Sequence, residues 1–156
     1  MATSSTKIDS SGKSIIYWLK HIGSVDVLQA STTSSFPGTW SVPVDVSSLL
    51  VSARIPSLSS NLNGDAVLGW IATVAPNISN IFVSIRPIST GIWSAPFQLV
   101  NVGSTKSLVT ISINETGQIV AQWVAYIDGT FTTSAIYAAT ATVASGTWSA
   151  VQRVSL

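Results

Sequence analysis

The sequence predicts an all-β fold made of three copies of one four-stranded antiparallel unit. All six tryptophans of the 156-residue chain fall on a threefold repeat of about fifty residues. Glycines keep the same register as the tryptophans. No segment combines a helical period with capping residues, whereas short apolar runs bounded by turn residues recur throughout.

The repeat is defined by two tryptophans and two glycines in each copy. The first tryptophan recurs after 52 and 53 residues, at Trp18, Trp70 and Trp123. The second recurs after 53 and 55 residues, at Trp40, Trp93 and Trp148. A glycine stands six residues before each first tryptophan, at Gly12, Gly64 and Gly117, and two residues before each second one, at Gly38, Gly91 and Gly146. The units are therefore predicted at 1–49, 50–102 and 103–156.

Each unit is predicted to contain four strands joined by tight turns. In the middle unit the strands are 54–58, 66–72, 81–86 and 93–99, with Asn61 and Gly64 in the first turn. The third unit follows with 108–111, 119–126, 135–141 and 148–154. The first unit follows with 2–8, 15–18, 25–28 and 40–44.

These motifs resemble the repeats of the β-propeller superfamily. The shared pattern is Asn/Asp-x-x-Gly, an apolar strand ending in tryptophan, and Gly-x-Trp-Ser after the third strand. The Gly-x-Trp-Ser step is also similar to a degenerate Asp-box of sialidase-type propellers, although the aspartate is missing from all three copies. The resemblance implies three four-stranded blades that stack on one another, and an Asp-box is structural, so it implies no catalysis.

A ring of blades needs closing, because complete propellers usually have at least four blades. Three stacked blades leave two apolar end faces, and large exposed apolar patches mark interfaces. The economical closure is a homodimer with six blades, and a trimer with nine is the alternative. We expect an obligate-type interface on the order of 2,000 Å² or more.

Composition excludes several partners. Charged residues make up 8% of the chain, against about 25% ordinarily, and the net charge is +1 without a basic run, so nucleic acid is not an expected partner. The absence of cysteine excludes disulfides and thiolate metal sites. No signal-peptide core and no apolar run of about 20 residues occurs, so no membrane partner is expected. A piece of a longer secreted protein would look the same, so the compartment stays unassigned.

The tryptophans allow a structural and a lectin-like interpretation. Trp18, Trp70 and Trp123 lie in the most apolar strand, where packing between blades is expected. Trp40, Trp93 and Trp148 are expected to fix the last turn onto the blade, and they are also the candidate ligand-binding residues for sugars at sites repeated around the ring.

Candidate catalytic residues are few. Arg54-Ile55-Pro56 is similar to an Arg-Ile-Pro step of sialidases, where the arginine binds a carboxylate, but the chain lacks the accompanying tyrosine–glutamate pair. The single histidine, His21, has a surface context, and a triad would need a nucleophile and an acid beside it. We predict no catalytic residue.

No metal or cofactor site is predicted either. The acids, including Asp128, are scattered singly along the chain. Asp9, Asn61 and Asn114 share one repeat position and could chelate Ca²⁺, but turn capping is the expected role. No phosphate-binding loop or dinucleotide fingerprint occurs.

The sequence thus predicts a non-enzymatic propeller module that assembles into a ring and acts as a scaffold or interaction module. Lectin-like carbohydrate binding at sites between blades is the alternative. A sialidase-like glycoside hydrolase fragment is the third possibility.

Overall fold

A computed structural model describes residues 4–9, 11–48, 50–75, 78–99, 104–126 and 133–155. Within these ranges every regular element is a β-strand, as predicted, and the strands form three four-stranded antiparallel sheets. The first sheet has the order β1-β2-β3-β4, with strands Ser4–Ile8, Ser14–Ile22, Val25–Thr33 and Val44–Asp45. The second has the order β5-β6-β7-β8, with strands Ala53–Ser60, Ala66–Ala75, Ile78–Arg86 and Phe97–Leu99. The third has the order β9-β10-β11-β12, with strands Ser104–Ile113, Gln118–Tyr126, Ser134–Thr142 and Gln152–Arg153.

The fourth strands are shorter than the sequence predicted. Pairing begins only at Val44, Phe97 and Gln152, four residues after each second tryptophan. The serine that follows each of these tryptophans bonds through its hydroxyl to a third-strand amide, for example Ser94 Oγ to Ile85 N at 3.0 Å. A side-chain oxygen thus replaces a backbone carbonyl there, and the regular ladder is interrupted. The predicted break at 76–77 and the first two residues of the predicted strand 2–8 lie outside the described residues.

The core consists of two apolar layers between successive sheets. One layer joins the first and second sheets and includes Tyr17, Leu28, Leu68 and Trp70. The other joins the second and third sheets and includes residues such as Trp123. Trp70 and Trp123 are each only 1% exposed. The first strands also contact each other across the sheets, β1 with β5 and β5 with β9.

The residue before each first tryptophan points to the following sheet, since neighbours along a strand face opposite ways. Tyr17 donates its hydroxyl hydrogen to the carbonyl of Pro56 on β5 at 2.9 Å. Gly69 lies against β9 so closely that an added Cβ would be 2.7 Å from Ile111 Cδ1. Gln122, on the third sheet, is exposed.

Within the described residues, no helix is both long and apolar enough to span a membrane.

The close approach at Gly69 generates a stability prediction. Gly69→Ala places a methyl group within 2.8 Å of both Ile111 and Val109 side-chain carbons, so the second and third sheets must separate slightly. We expect a loss of about 1–3 kcal/mol in the free energy of unfolding, measured by urea denaturation. Ser89→Ala, at an exposed residue after the third strand of the same sheet, is the control and should change stability by less than about 0.5 kcal/mol. A Gly69→Ala protein as stable as the parent would contradict this packing.

Candidate functional site

Because consecutive strands of each sheet run antiparallel, two kinds of loop lie at the same end of every sheet. These are the turn between the first and second strands and the longer segment between the third and fourth strands. The turn between second and third strands, such as Gly23-Ser24, lies at the opposite end. We call the first end the tryptophan end, because Trp40, Trp93 and Trp148 all lie in its longer segments.

The first turn of each sheet is closed by an Asp or Asn side chain. Asp9 Oδ1 accepts hydrogen bonds from Ser11 N at 2.8 Å, Ser11 Oγ at 2.7 Å and Lys13 N at 3.0 Å. Asn114 Oδ1 makes the same three bonds in the third sheet, to Thr116 N, Thr116 Oγ1 and Gln118 N. Gly12, Gly64 and Gly117 have φ of 81°, 95° and 76°, which suits residues without a Cβ. These oxygens are therefore occupied by the turns.

The first turns of the second and third sheets are hydrogen-bonded to each other. Leu62 N donates to Glu115 Oε2 at 2.8 Å, Asn63 Nδ2 donates to the Glu115 carbonyl at 2.8 Å, and Asn61 Nδ2 donates to the Asn114 carbonyl at 3.2 Å. The single glutamate thus joins two sheets. Among the described residues no such bonds join the Asp9 turn to the Asn61 turn, and a cavity lies there instead.

The longer segments hold the second tryptophans through a bond that recurs in all three sheets. Each following serine donates its N–H to the third strand at 2.8 Å: Ser41 to Thr32, Ser94 to Ile85 and Ser149 to Thr140. Gly91 and Gly146 have φ of 66° and 62°, while Gly38 is not in the left-handed region and is packed against Ser35 and Thr33. The Gly-x-Trp-Ser step is visible in the sequence, but the role of its serine in holding the third strand is not.

Two of the three candidate ligand-binding tryptophans line one cleft. Trp93 and Trp148 lie on the walls of a cleft of about 370 Å³ between the second and third sheets, with Phe97 beside them. Trp148 is 8% exposed, Trp93 is half-buried and Phe97 is 48% exposed. Trp40 is 46% exposed and lines none of the described cavities. The three positions are therefore not equivalent in space.

A second cavity, of about 110 Å³, lies between the first and second sheets at the same end. Its lining includes Lys7, Lys13 and Arg86 together with Asp9. Burial lowers the pKa of the Arg86 guanidinium below its ordinary value. Desolvation raises the pKa of the Asp9 carboxyl, but hydrogen bonds from Ser11 and Lys13 outweigh it, and the net pKa is lowered from 3.8. Sequence reasoning missed this cavity, because its cations do not occupy repeat positions.

The opposite end carries the two candidate catalytic residues considered from the sequence. Arg54 is exposed near the start of β5, beside a shift of register between Arg54 and Ser57. Ile55, within this irregularity, has φ of 46°, a strained value for a β-branched residue. His21 Nδ1 and Asp26 Oδ1 are 2.9 Å apart, with the side chains 68% and 43% exposed.

The remaining described acids make structural contacts. Asp45 Oδ1 accepts from Gln29 Nε2 at 2.6 Å, and Asp65 Oδ1 accepts from Ile88 N at 2.8 Å. In the part of the chain that the structure describes, no group of three or more His, Cys, Asp or Glu side chains could hold a metal ion. Asp128 lies outside the described residues.

Comparison with known proteins relates the fold to carbohydrate-active enzymes. No family model matches the chain, and no curated protein matches it. The solved structure of polysaccharide lyase Uly1 is similar, with a TM-score of 0.68 and 9% identity over 96% of this chain and 40% of that one. An α-L-arabinanase of Penicillium chrysogenum, solved with arabinobiose, gives a TM-score of 0.62 and 13% identity over 96% and 48%. The α-L-arabinofuranosidase Arb93A of Fusarium graminearum, solved with an iminosugar inhibitor, gives 0.59 and 12% over 96% and 47%.

These likenesses establish the fold class and correct the predicted function. The similar structures are β-propeller enzymes, so the chain has a propeller-like all-β fold. The chain spans less than half the length of the three structures named above. The prediction of a non-enzymatic scaffold, and with it the prediction that the chain is not an enzyme, is wrong, because the fold is one that processes glycans in these neighbours. The misreading arose because a neutral surface rich in Ser and Thr carries no sign of catalysis.

Proposed function

We propose that this chain contributes three blades to a glycan-processing β-propeller and that the cleft lined by Trp93, Phe97 and Trp148 binds its sugar units. The observation that carries the proposal is the convergence of these three aromatic side chains on one cleft in a fold shared with carbohydrate-active enzymes. The finer resemblance of the Gly-x-Trp-Ser turns to degenerate Asp-boxes belongs to the same proposal.

The chemistry of the cleft suits a sugar ring. Its volume of about 370 Å³ falls within the usual range of small-ligand sites, which are mostly apolar with a few polar groups. Aromatic faces pack against the C–H faces of sugars. The Ser94 and Thr90 hydroxyls in the wall already bond to backbone atoms, so stacking would provide most of the binding energy.

Removing one aromatic wall should weaken glycan binding without unfolding the protein. We expect Trp93→Ala to reduce affinity for its best oligosaccharide on a glycan array, which includes arabino-oligosaccharides, by about tenfold or more, equivalent to about 1.4 kcal/mol. Calorimetry provides the dissociation constants. Phe97→Val, which installs the residue that the first unit has at this position, Val44, should weaken binding without disturbing the fold.

Phe36→Ala is the control, since Phe36 is an aromatic residue that is 77% exposed and lines none of the described cavities. Binding that is equally sensitive to Phe36→Ala and Trp93→Ala, or that is absent from every glycan tested, would contradict the assignment of this cleft.

The His21–Asp26 pair is the described arrangement that fits proton transfer in glycan processing. In the tautomer that carries the proton on Nδ1, the imidazole donates to Asp26 and leaves an unprotonated Nε2 on a side chain that is 68% exposed. Ser52 Oγ accepts a hydrogen bond from Asp26 N at 3.1 Å and connects this turn to the chain that precedes β5. The pair lies at the opposite end from the tryptophans, which is also the end of Arg54, so it would act on a polysaccharide bound at that end and not on sugar units in the cleft lined by Trp93 and Trp148.

If this pair acts as the base, the protein should cleave a polysaccharide in a His21-dependent manner. We expect His21→Ala to reduce the release of new chain ends by about 10²–10⁴-fold, the usual contribution of a general base, as measured by reducing-end and unsaturated-product assays. Lys20→Ala, at the neighbouring exposed position, is the control and should leave the rate unchanged. If His21→Ala cleaves at the parent rate, the pair is not the base. If the parent protein cleaves no polysaccharide, the proposal that this chain processes glycans is contradicted.

We also propose that two copies of the chain close the ring. Trp70 and Trp123 are covered by the sheet before them, whereas Trp18, at the same repeat position in the first sheet, is half-exposed. At the other end, Gln122, Val120 and Ile136 are exposed on the outer face of the third sheet. Stacking that outer face onto Trp18 of a second copy would repeat the contact already made twice within the chain. Two copies would also approximate the length of the similar solved structures.

Light scattering should therefore give twice the chain mass of 16.3 kDa. Ile136→Arg introduces a charge on the outer face of the third sheet and should yield a folded monomer, because Ile136 is already 45% exposed within one chain. Val42→Arg, at an exposed residue in the longer segment of the first sheet, is the control and should leave the dimer intact. A measured mass three times that of the chain would indicate a nine-bladed ring of three copies instead of a dimer. A monomeric parent protein would contradict closure by self-association.

A further inference from the structure

The cavity between the first and second sheets gathers a large share of the positive charge of the chain. The whole chain has seven lysines and arginines, and three of them, Lys7, Lys13 and Arg86, line this one cavity. A single carboxylate, that of Asp9, lines it with them. Charged residues make up only 8% of the chain, so three cations around one cavity are a marked local concentration of positive charge.

None of these three cations forms a salt bridge within 4.0 Å of a carboxylate among the described residues, although the charge of Lys13 helps to lower the pKa of the Asp9 carboxyl. The ion pair that the described residues form is His21–Asp26, and it lies at the opposite end of the first sheet from this cavity. Arg86 is half-buried and its Nη2 lies close to Gly91, 3.3 Å from where a Cβ would stand. Its guanidinium, with five donors in a planar fork, is partly desolvated, which favours an anion that can accept two hydrogen bonds.

The Asp9 carboxylate adds a second requirement. Its Oδ1 is occupied by the turn, but its Oδ2 is buried and has no hydrogen-bond partner. A buried carboxylate oxygen without a donor costs free energy, so a ligand that offers a donor at this point gains affinity. Sulfate and chloride offer none at neutral pH, whereas a sugar offers hydroxyl groups.

Size and surroundings fit one ligand unit. A cavity needs about 10–15 Å³ to hold one water molecule, so about 110 Å³ accommodates a polar group of several atoms. Thr32, Thr33, Ser14 and Ser60 supply further polar groups to the lining. The contrast with the next pair of sheets is informative, because there the corresponding turns are joined by hydrogen bonds from Asn61, Leu62 and Asn63.

From these observations we infer that the cavity lined by Arg86, Lys7, Lys13 and Asp9 is a binding site for an acidic sugar unit, a uronate. Arg86 and the lysines take the carboxylate, and a ring hydroxyl donates to Asp9 Oδ2. The site goes beyond the glycan cleft proposed above and does not depend on it. Arg86 and Ile88 face this cavity, whereas Ile85 and Pro87 line the cleft with Trp93 and Trp148. The two sites therefore lie on opposite faces of the end of β7 and the segment that follows it.

Titration of the full chain by amide NMR tests the site with three probes: sodium glucuronate, sodium sulfate and glucose. The amides of Gly64 and Ile88, two residues of the lining, should shift saturably with glucuronate, several-fold more weakly with sulfate and not with glucose. Equal responses to glucuronate and sulfate would reduce the site to an unselective anion pocket and overturn the uronate assignment. Equal responses to glucuronate and glucose would show that the cations do not recognise the carboxylate, and would overturn the proposal.

Two variants assign the parts of the site. Arg86→Gln should reduce glucuronate affinity at least tenfold, and Lys20→Ala, at a lysine outside the cavity, should not change it. Asp9→Asn keeps the turn, because Asn114 makes the same three bonds, but replaces the Oδ2 acceptor by a donor. It should lower glucuronate affinity to the level of sulfate without weakening sulfate.

Arg86→Lys covers the case in which Arg86→Gln does not fold. It keeps the charge, loses the fork and should give an intermediate affinity. Glucuronate binding that is unaffected by either Arg86 variant or by Asp9→Asn overturns the proposal. Loss of neutral oligosaccharide binding in Trp93→Ala is a separate result, so failure of the uronate site and failure of the glycan cleft are distinguishable.

Discussion

The burial of one tryptophan per sheet against the preceding sheet is the contact on which the rest of the structure depends. Trp70 fills the layer between the first and second sheets, and Trp123 fills the layer between the second and third. Burial of one such side chain removes about 150–250 Å² from water, worth about 4–6 kcal/mol as an upper figure. The residue before each tryptophan faces the other way, so a single dipeptide contacts both neighbours of its sheet. Sheets joined in this way stack as a series.

This stacking positions the loops that form the candidate sites. The turns and long segments gather at one end because every sheet is an up-and-down meander in the same orientation. Local hydrogen bonds then fix each loop, through Asp9 or its asparagine counterparts in the first turn and through Ser94 or its counterparts in the long segment. Because these bonds are made within one sheet, they leave the spaces between sheets to be filled by whatever side chains face them. The sites therefore differ from one pair of sheets to the next although the scaffold repeats.

The repeat made the scaffold predictable from the sequence, and departures from the repeat made the sites unpredictable. Tryptophan and glycine spacing predicted the all-β fold with three four-stranded sheets, because large apolar residues and turn glycines respond to local geometry. The short fourth strands were missed, because the competing serine hydroxyl bond is invisible to strand propensity. The cationic cavity was missed for another reason: Lys7 and Lys13 belong to the first sheet and Arg86 to the second, so they converge only when the two sheets pack. No local pattern could have shown the class of enzyme that shares this fold.

The end of β7 and the start of the longer segment that follows it contribute side chains to both cavities of the second sheet. Side chains alternate across a strand, and the alternation continues through Ile85, Arg86, Pro87 and Ile88. Apolar Ile85 and Pro87 complete an aromatic cleft on one face, while Arg86 charges the cavity on the other. A change of register by one residue would exchange these faces, placing the guanidinium beside Trp93 and an isoleucine among the lysines. The ladder from β6 to β7, paired without interruption from Ala66–Arg86 to Thr73–Ser79, prevents that exchange. The chemical difference between the two cavities is thus maintained by backbone pairing in the centre of the sheet, away from either site.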